Sequence, residues 1–364
     1  MAEPFKNLVS AGSALLLGTE LSRAIPSFPV ARFVAAAADG LDDLELKARV
    51  RHVGTQLRPF LADDWPTALD QLVAAMPQEA PNHEGATSFF HWWPVLDVVE
   101  RDGLSHPEAS VRALCRLTTR FSAEFAIRPY LIRAPDITWP LLEGWVDHVD
   151  PNVRRWVSEG TRPRLPWGIQ LATSIADPAR GLRLLDRLVD DPSAYVRRSV
   201  ANHLGDVAKD HPALAVVTAQ RWLAVPTRHR LVEHGLRTLF KRGDAGALAL
   251  IGNVGGSVRV VRVGVTPASA RVGGSVVIHA ELVNPMGGSV RVDVVWEWPG
   301  ARGGWSRKIF RGGTRALKAD ETWNFEHRLS LREVSTRPSR PGEQRLSLRV
   351  NGEDGAAASF LLEP

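Results

Sequence analysis

Hydrophobic positions follow two different rules along this chain. Up to residue 252 they recur at three- and four-residue steps. In LELKARVRHVGTQLRPFL the apolar set is Leu44, Leu46, Val50, Val53, Leu57 and Leu61, the spacing that turns one face of an α-helix towards a core. Beyond that point they alternate. VRVVRVGVTP, SVVIHAELV, SVRVDVVWEW and QRLSLRVNG read as strands whose side chains point to opposite faces in turn. Turn signals separate them, among them NPMGG, PGARGG and RPSRPG. The pattern predicts a helical domain over 1–252 and a β domain over 258–364, joined by GNVGGS at Gly252–Ser257.

The helical part repeats itself. HPEASVRALCRLTTR from His106, DPNVRRWVSEGTRPR from Asp150 and DPSAYVRRSVANHLGD from Asp191 each carry a Pro and then a Val-Arg pair. The valines, Val111, Val153 and Val196, are 42 and 43 residues apart. That period is the one expected of HEAT-type helix pairs, which bury their apolar faces by stacking on neighbours. Pro is expected in the first turn of each second helix, with Asp150 and Asp191 as N-caps. The stretch 254–364 spans 111 residues with about seven short strands, as in a small immunoglobulin-like sandwich. It holds no Cys, and Trp296 or Trp298 is expected to fill its core. The fold class is therefore multi-domain: an α-helical HEAT-like repeat solenoid followed by an antiparallel immunoglobulin-like β-sandwich.

Superimposing the repeats on their valines places Glu159 and Asn202 at equivalent positions on adjacent helices, with Asp206 one turn beyond Asn202 on the same face. The basic pairs Arg154/Arg155 and Arg197/Arg198 coincide as well. Such a ladder suits a phosphate backbone; the alternative is a structural pairing with the Asp of a preceding helix. After Glu159 comes GTRPRLPWG, in which Pro163 separates Arg162 from Arg164 and Trp167 follows. A rigid loop presenting two Arg and one Trp suits backbone contact plus stacking on a base or sugar. Glu124 stands among Phe121, Phe125 and Tyr130, a setting for a shielded carboxylate. Trp92, Trp93, Trp139 and Trp145 read as core.

Charge and composition narrow the chemistry. Basic and acidic residues balance up to Asn253, whereas sixteen basic residues face eleven acidic ones after it. The net charge of +5 therefore lies in the β part, where Arg307, Lys308 and Arg311 in SRKIFRGG are candidate phosphate contacts. The single cysteine, Cys115, excludes a disulfide framework and a Cys-based zinc cluster. There is no Walker loop, no dinucleotide fingerprint, no His-Glu-x-x-His and no nucleophile elbow, so no metal or organic cofactor is expected. No apolar run is long enough for a transmembrane helix, and MAEPFKNLVSAG does not read as a signal peptide. The remaining tools are carboxylates, Arg and aromatic rings.

LKARVRHVGTQLRPFL, FFHWWPVLDVVE, FSAEFAIRPYL, DPNVRRWVSEGTRPRLPW and DPSAYVRRSVANHLGDVAKDHP resemble the AlkC-type DNA alkylation repair glycosylases. The likeness covers about residues 1–250, and members with a C-terminal immunoglobulin-like domain are known. It implies a monofunctional glycosylase that removes cationic N3-methylated bases, 3-methyladenine and 3-methylcytosine, from double-stranded DNA without metal or cofactor. It implies catalytic carboxylates at Glu124, Glu159 and Asp206, with Trp167 as the neighbouring aromatic. No Lys stands in SEGTRPRLPW or ANHLGD to form a Schiff base, in keeping with simple base excision. A monomer in a bacterial-type cytosol, associated with the nucleoid through DNA, is the corresponding expectation. The competing reading is a non-enzymatic HEAT scaffold that binds a protein or undamaged nucleic acid.

Overall fold

The computed structural model describes residues 5–77, 89–253, 258–300, 303–333 and 340–364. Fifteen α-helices fall between Ala11 and Leu250 among them, and eight strands follow. Two compact units divide this material, Met1–Asp210 and His211–Pro364. None of the described helices is long and apolar enough to cross a membrane.

In the first unit the repeated segments are helices Pro107–Leu117, Pro151–Gly160 and Ala194–Asp210. Val111, Val153 and Val196 are all fully buried, as their equivalent positions require. Pro107 and Pro151 begin their helices, where the missing N–H costs nothing. Asp150 caps the second, its carboxylate accepting from Asn152 N at 2.7 Å. Pro192 departs from the pattern, because its helix starts two residues later. There the Asp191 carboxylate accepts from Ser193 N at 2.9 Å instead, in a turn that accounts for five residues from Asp191 to Val196 against three from Asp150 to Val153. Trp92, Trp93 and Trp139 are buried, and Trp145 is half-buried against Trp156.

The second unit joins helices Pro212–Trp222, His229–Arg242 and Ala245–Leu250 to the sandwich. Strands β1 (Arg259–Thr266), β2 (Ser269–Arg271), β3 (Ser275–Asn284), β4 (Gly288–Pro299), β5 (Trp305–Leu317), β6 (Glu321–Ser330), β7 (Gly342–Val350) and β8 (Glu353–Glu363) form two sheets. Their orders are β1-β3-β6 and β2-β8-β7-β4-β5, antiparallel except for the short β2–β8 pair. β5 is thus an edge strand. β3 alternates buried and half-buried residues as its sequence predicts. β4 does not: residues 290–296 are buried throughout. Val290, Val292, Val294 and Trp296 face the sandwich core, where Trp296 donates its indole N–H to Gln344 at 3.0 Å. On the opposite face Arg291 is ion-paired to Asp293 at 3.1 Å and lies over the Phe240 ring at 4.9 Å. Gly243 and Gly352 approach so closely that a Cβ on either would collide with the other's backbone. The helical grammar runs to residue 252, but these contacts hold the last three helices to the sheet, so the compact units divide forty residues earlier.

Candidate active site

Helix Pro151–Gly160 turns Val153, Trp156 and Val157 into the core and carries Arg155 and Glu159 one turn apart. Gly160 ends it, and a Cβ there would meet Ile127 at 2.7 Å. Thr161 closes the last turn by donating its hydroxyl to Val157 O at 2.7 Å. The chain then leaves through Arg162-Pro163-Arg164 and passes Trp167 before returning at Leu171, whose N–H donates to Pro163 O at 3.1 Å.

The side chains on this scaffold form an alternating line of acids and bases. Glu124 is paired to Arg155 and accepts from Ser122 at 3.0 Å. Arg155 approaches Glu159 at 3.7 Å. Arg162 then bridges two carboxylates, Glu159 at 2.6 Å and Asp206 at 2.7 Å. Lys209 ends the line on Asp206 at 2.8 Å. The structure thus gathers the three acids at Glu124, Glu159 and Asp206. Burial alone would raise the Glu159 carboxyl. Arg155 and Arg162 outweigh it, helped by the Ser199 hydroxyl at 2.6 Å, and hold Glu159 below the usual carboxylate range. All three acids are ion-paired, so the line offers anionic oxygens with compensating charge beside them.

Trp167 stands 71% exposed with φ +64°, a left-handed conformation that is strained for a large side chain. Its carbonyl accepts from Lys47. The indole edges a cleft of about 300 Å³ lined by Lys47, Arg51, Trp93, Glu100 and Phe125. Trp93 stacks on Phe125, with centroids 5.6 Å apart, and the Lys47 ammonium sits 5.1 Å from that ring. Burial and the neighbouring Asp97 push the Glu100 carboxyl above its ordinary value.

The arginine ladder divides. Arg154, expected on a phosphate, is held within the protein instead. It clamps Asp191 at 2.6 and 3.0 Å and caps the His148 and Val149 carbonyls. Arg162, also expected on DNA, is buried between Glu159 and Asp206. Arg155 is nearly as enclosed, with its guanidinium 5.0 Å from the Tyr195 ring. Arg164 pairs with Asp210 at 2.7 and 2.8 Å. Arg197 is half-buried on the Asp191 and Pro192 carbonyls, whereas Arg198 is exposed. Asn202 is half-buried on the same helix as Asp206. In the second unit Arg307, Lys308 and Arg311 lie exposed on β5, but strand alternation puts Lys308 on the face opposite the other two. Arg307 pairs with Asp354 at 2.6 Å, and Lys308 lies over Phe310.

Several contributors escaped the sequence reading. Ser199 stands where the preceding repeat has Trp156, and a small side chain at that place is what lets its hydroxyl reach Glu159. His203 is buried and hydrogen-bonded to Ser158 O at 3.0 Å, and burial pulls its imidazole down to about 4. Arg128 has no periodic mark at all, yet it lies beneath the Trp167 loop. Among the described residues no His, Cys, Asp and Glu side chains are grouped to hold a metal ion.

Three comparisons bear on this geometry. A family model described as the C-terminal Ig-like domain of the uncharacterised protein YhaZ matches residues 259–364. The chain is 33% identical over 331 residues to the uncharacterized protein YhaZ of Bacillus subtilis (strain 168), with 90% of each covered. It is also similar over the full length of both chains, at 31% identity and a TM-score of 0.91, to Pseudomonas fluorescens alkylpurine DNA glycosylase AlkC. The chain belongs to the AlkC family. That AlkC structure was determined with DNA containing an abasic site analog. In the present AlkC-family chain the positions singled out by resemblance, Glu124, Glu159 and Asp206, are the ones the ion-pair line collects. Trp167 lies on the loop leading away from them.

Proposed function

We propose that the protein is a monofunctional DNA repair glycosylase that hydrolyses the N-glycosidic bond of cationic N3-alkylated bases, 3-methyladenine and 3-methylcytosine, in duplex DNA. The observation that carries this reading is the line Glu124–Arg155–Glu159–Arg162–Asp206 beside an exposed tryptophan. A base alkylated at N3 already carries positive charge, so it departs without a general acid. The demand falls on the deoxyribose, whose transition state resembles an oxocarbenium ion. Fixed carboxylates stabilise that cation and orient the attacking water. The interleaved arginines hold Glu159 below the usual carboxylate range and, paired to each acid in turn, limit the repulsion of phosphates. Glu124 and Glu159 are the acids assigned to sugar and water. Asp206, the most deeply buried of the three and with a cation on each oxygen, holds Arg162. Trp167 supplies a flat surface for a base or sugar, with Asn202 on the neighbouring helix.

Backbone contacts are assigned to exposed Arg198 with Arg197, and to Arg307, Lys308 and Arg311 of the sandwich. Two lysines from outside the SEGTRPRLPW and ANHLGD segments approach the site. Lys209 is tied to Asp206 and Lys47 to the Trp167 carbonyl. Neither is assigned a Schiff base, and the protein is expected to act as a monomer without a cofactor. Purified protein is incubated with methylated duplex DNA, and the released bases are identified by mass spectrometry. Release of 3-methyladenine with an intact abasic strand, and no borohydride-trapped adduct, is expected. DNA binding with no base released would favour the scaffold reading.

A further inference from the structure

We propose that Arg128 is the positioning residue of this site, setting the loop that carries Trp167 and, through Arg162, the placement of Glu159 against Asp206. The proposal rests on the glycosylase reading above. Arg128 is fully buried, and its planar fork is directed at main-chain carbonyls. Nη1 donates to Gly160 O and to Arg162 O at 2.9 Å each, Nη2 to Pro163 O at 3.4 Å, and Nε to Ile169 O. One side chain therefore binds both ends of the segment 160–169.

The chemistry of that segment explains why an arginine is needed. Gly160 ends a helix, and the last carbonyls of a helix lack intrahelical donors. Five N–H groups in a fixed plane satisfy several such acceptors together, a task beyond the three tetrahedral donors of a lysine. The contact is tight on the loop side as well. Gly168 has no side chain, and a Cβ there would lie 3.2 Å from Arg128 Cδ and 3.3 Å from Nε. Burial pulls the guanidinium down to about 10, so it is still charged at neutral pH.

The consequences reach the site by two routes. Between the anchored carbonyls the chain bulges, and Trp167 is held outward at φ +64°, a backbone state that persists only where its surroundings enforce it. The anchored Arg162 main chain also fixes the root of the side chain that spans Glu159 and Asp206. Arg128 touches neither carboxylate and acts through Arg162 and the loop. Lys47, reaching the Trp167 carbonyl from outside, supports the same loop at a second point.

Two variants test this. Arg128→Lys keeps the charge and removes the planar fork. Gly168→Ala keeps the fork and presses a methyl group against it. Single-turnover base release is expected to fall about a hundredfold in Arg128→Lys, as for displaced catalytic groups, and in the same direction in Gly168→Ala. Affinity for duplex DNA containing an abasic-site analogue should stay near that of wild type, separating position from binding. Trypsin supplies a readout independent of activity: the Arg164–Leu165 bond should be cut faster in both variants, with circular dichroism unchanged. Wild-type release rates in both variants would overturn the proposal. So would a loss of rate matched by an equal loss of affinity and melting temperature, the mark of a general core residue. If the wild-type protein released no base, the glycosylase reading would fall. Unchanged tryptic cutting would then separately refute Arg128 as the loop's anchor.

Discussion

The three carboxylates differ in how much of each is left to meet a substrate: side-chain exposure is 17% for Glu124, 7% for Glu159 and 2% for Asp206. Glu159→Gln keeps the shape and removes the charge between two arginines. Base release from methylated DNA should fall about a hundredfold, the scale seen when a preorganised electrostatic group is lost. DNA affinity, measured by fluorescence anisotropy, should hold or rise slightly, because a negative charge has been removed near phosphate. Since Arg155 and Arg162 hold Glu159 below the usual carboxylate range, release should persist into mild acid and decline only below that range. His203 governs stability over a different window. Its folded pKa of about 4 lies under the ordinary 6.5, so between those values the unfolded chain binds a proton that the folded chain refuses. Its contribution is therefore complete above 6.5 and is lost as pH falls towards 4. Melting temperature should drop between pH 7 and 5, and less steeply in His203→Gln; equal slopes would remove His203 from the account.

At the scale of elements, the Asp191–Arg154 pair ties the turn before helix Ala194–Asp210 to the preceding repeat helix. Arg154→Ala should lower stability by about 2 kcal/mol, since it strips a nearly buried carboxylate of its partner. The salt dependence of DNA binding should not change. Arg198→Ala should do the reverse, flattening the salt slope by about one unit at constant melting temperature. This division shows what a repeat discloses. The valine spacing located equivalent helices, and with them the shared face of Glu159 and Asp206, because buried positions obey the helical period. It did not tell Arg154 from Arg198, because whether an arginine meets an acid or solvent depends on the neighbouring helix. Arg128 was illegible for a related reason. It serves carbonyls, which every residue possesses and no sequence pattern marks. The alternation of β3 was legible, whereas β4 was obscured because helices cover the face that a lone sandwich would leave to water.

For the molecule as a whole, the division at Asp210 makes one cut better than another. A fragment ending at Asp210 keeps the first unit complete. One ending at Gly252 retains helices whose buried residues, Phe240 and Leu248 among them, have lost their sheet. Calorimetry should show one cooperative transition for the shorter fragment, and added dye binding by exposed apolar surface for the longer. Both should release base from duplex DNA more slowly than the full chain if the sandwich supplies backbone contacts; undiminished release would make it an accessory. The basic edge strand β5 has a further consequence. A bare strand edge is a template for pairing with another chain, and charged side chains are a common guard against it. Arg307, Lys308 and Arg311 occupy such an edge. Neutralising all three should therefore promote association of one molecule with the next, visible by sedimentation velocity without DNA. Clustering on the same duplex would then mask part of the affinity lost with the three phosphate contacts.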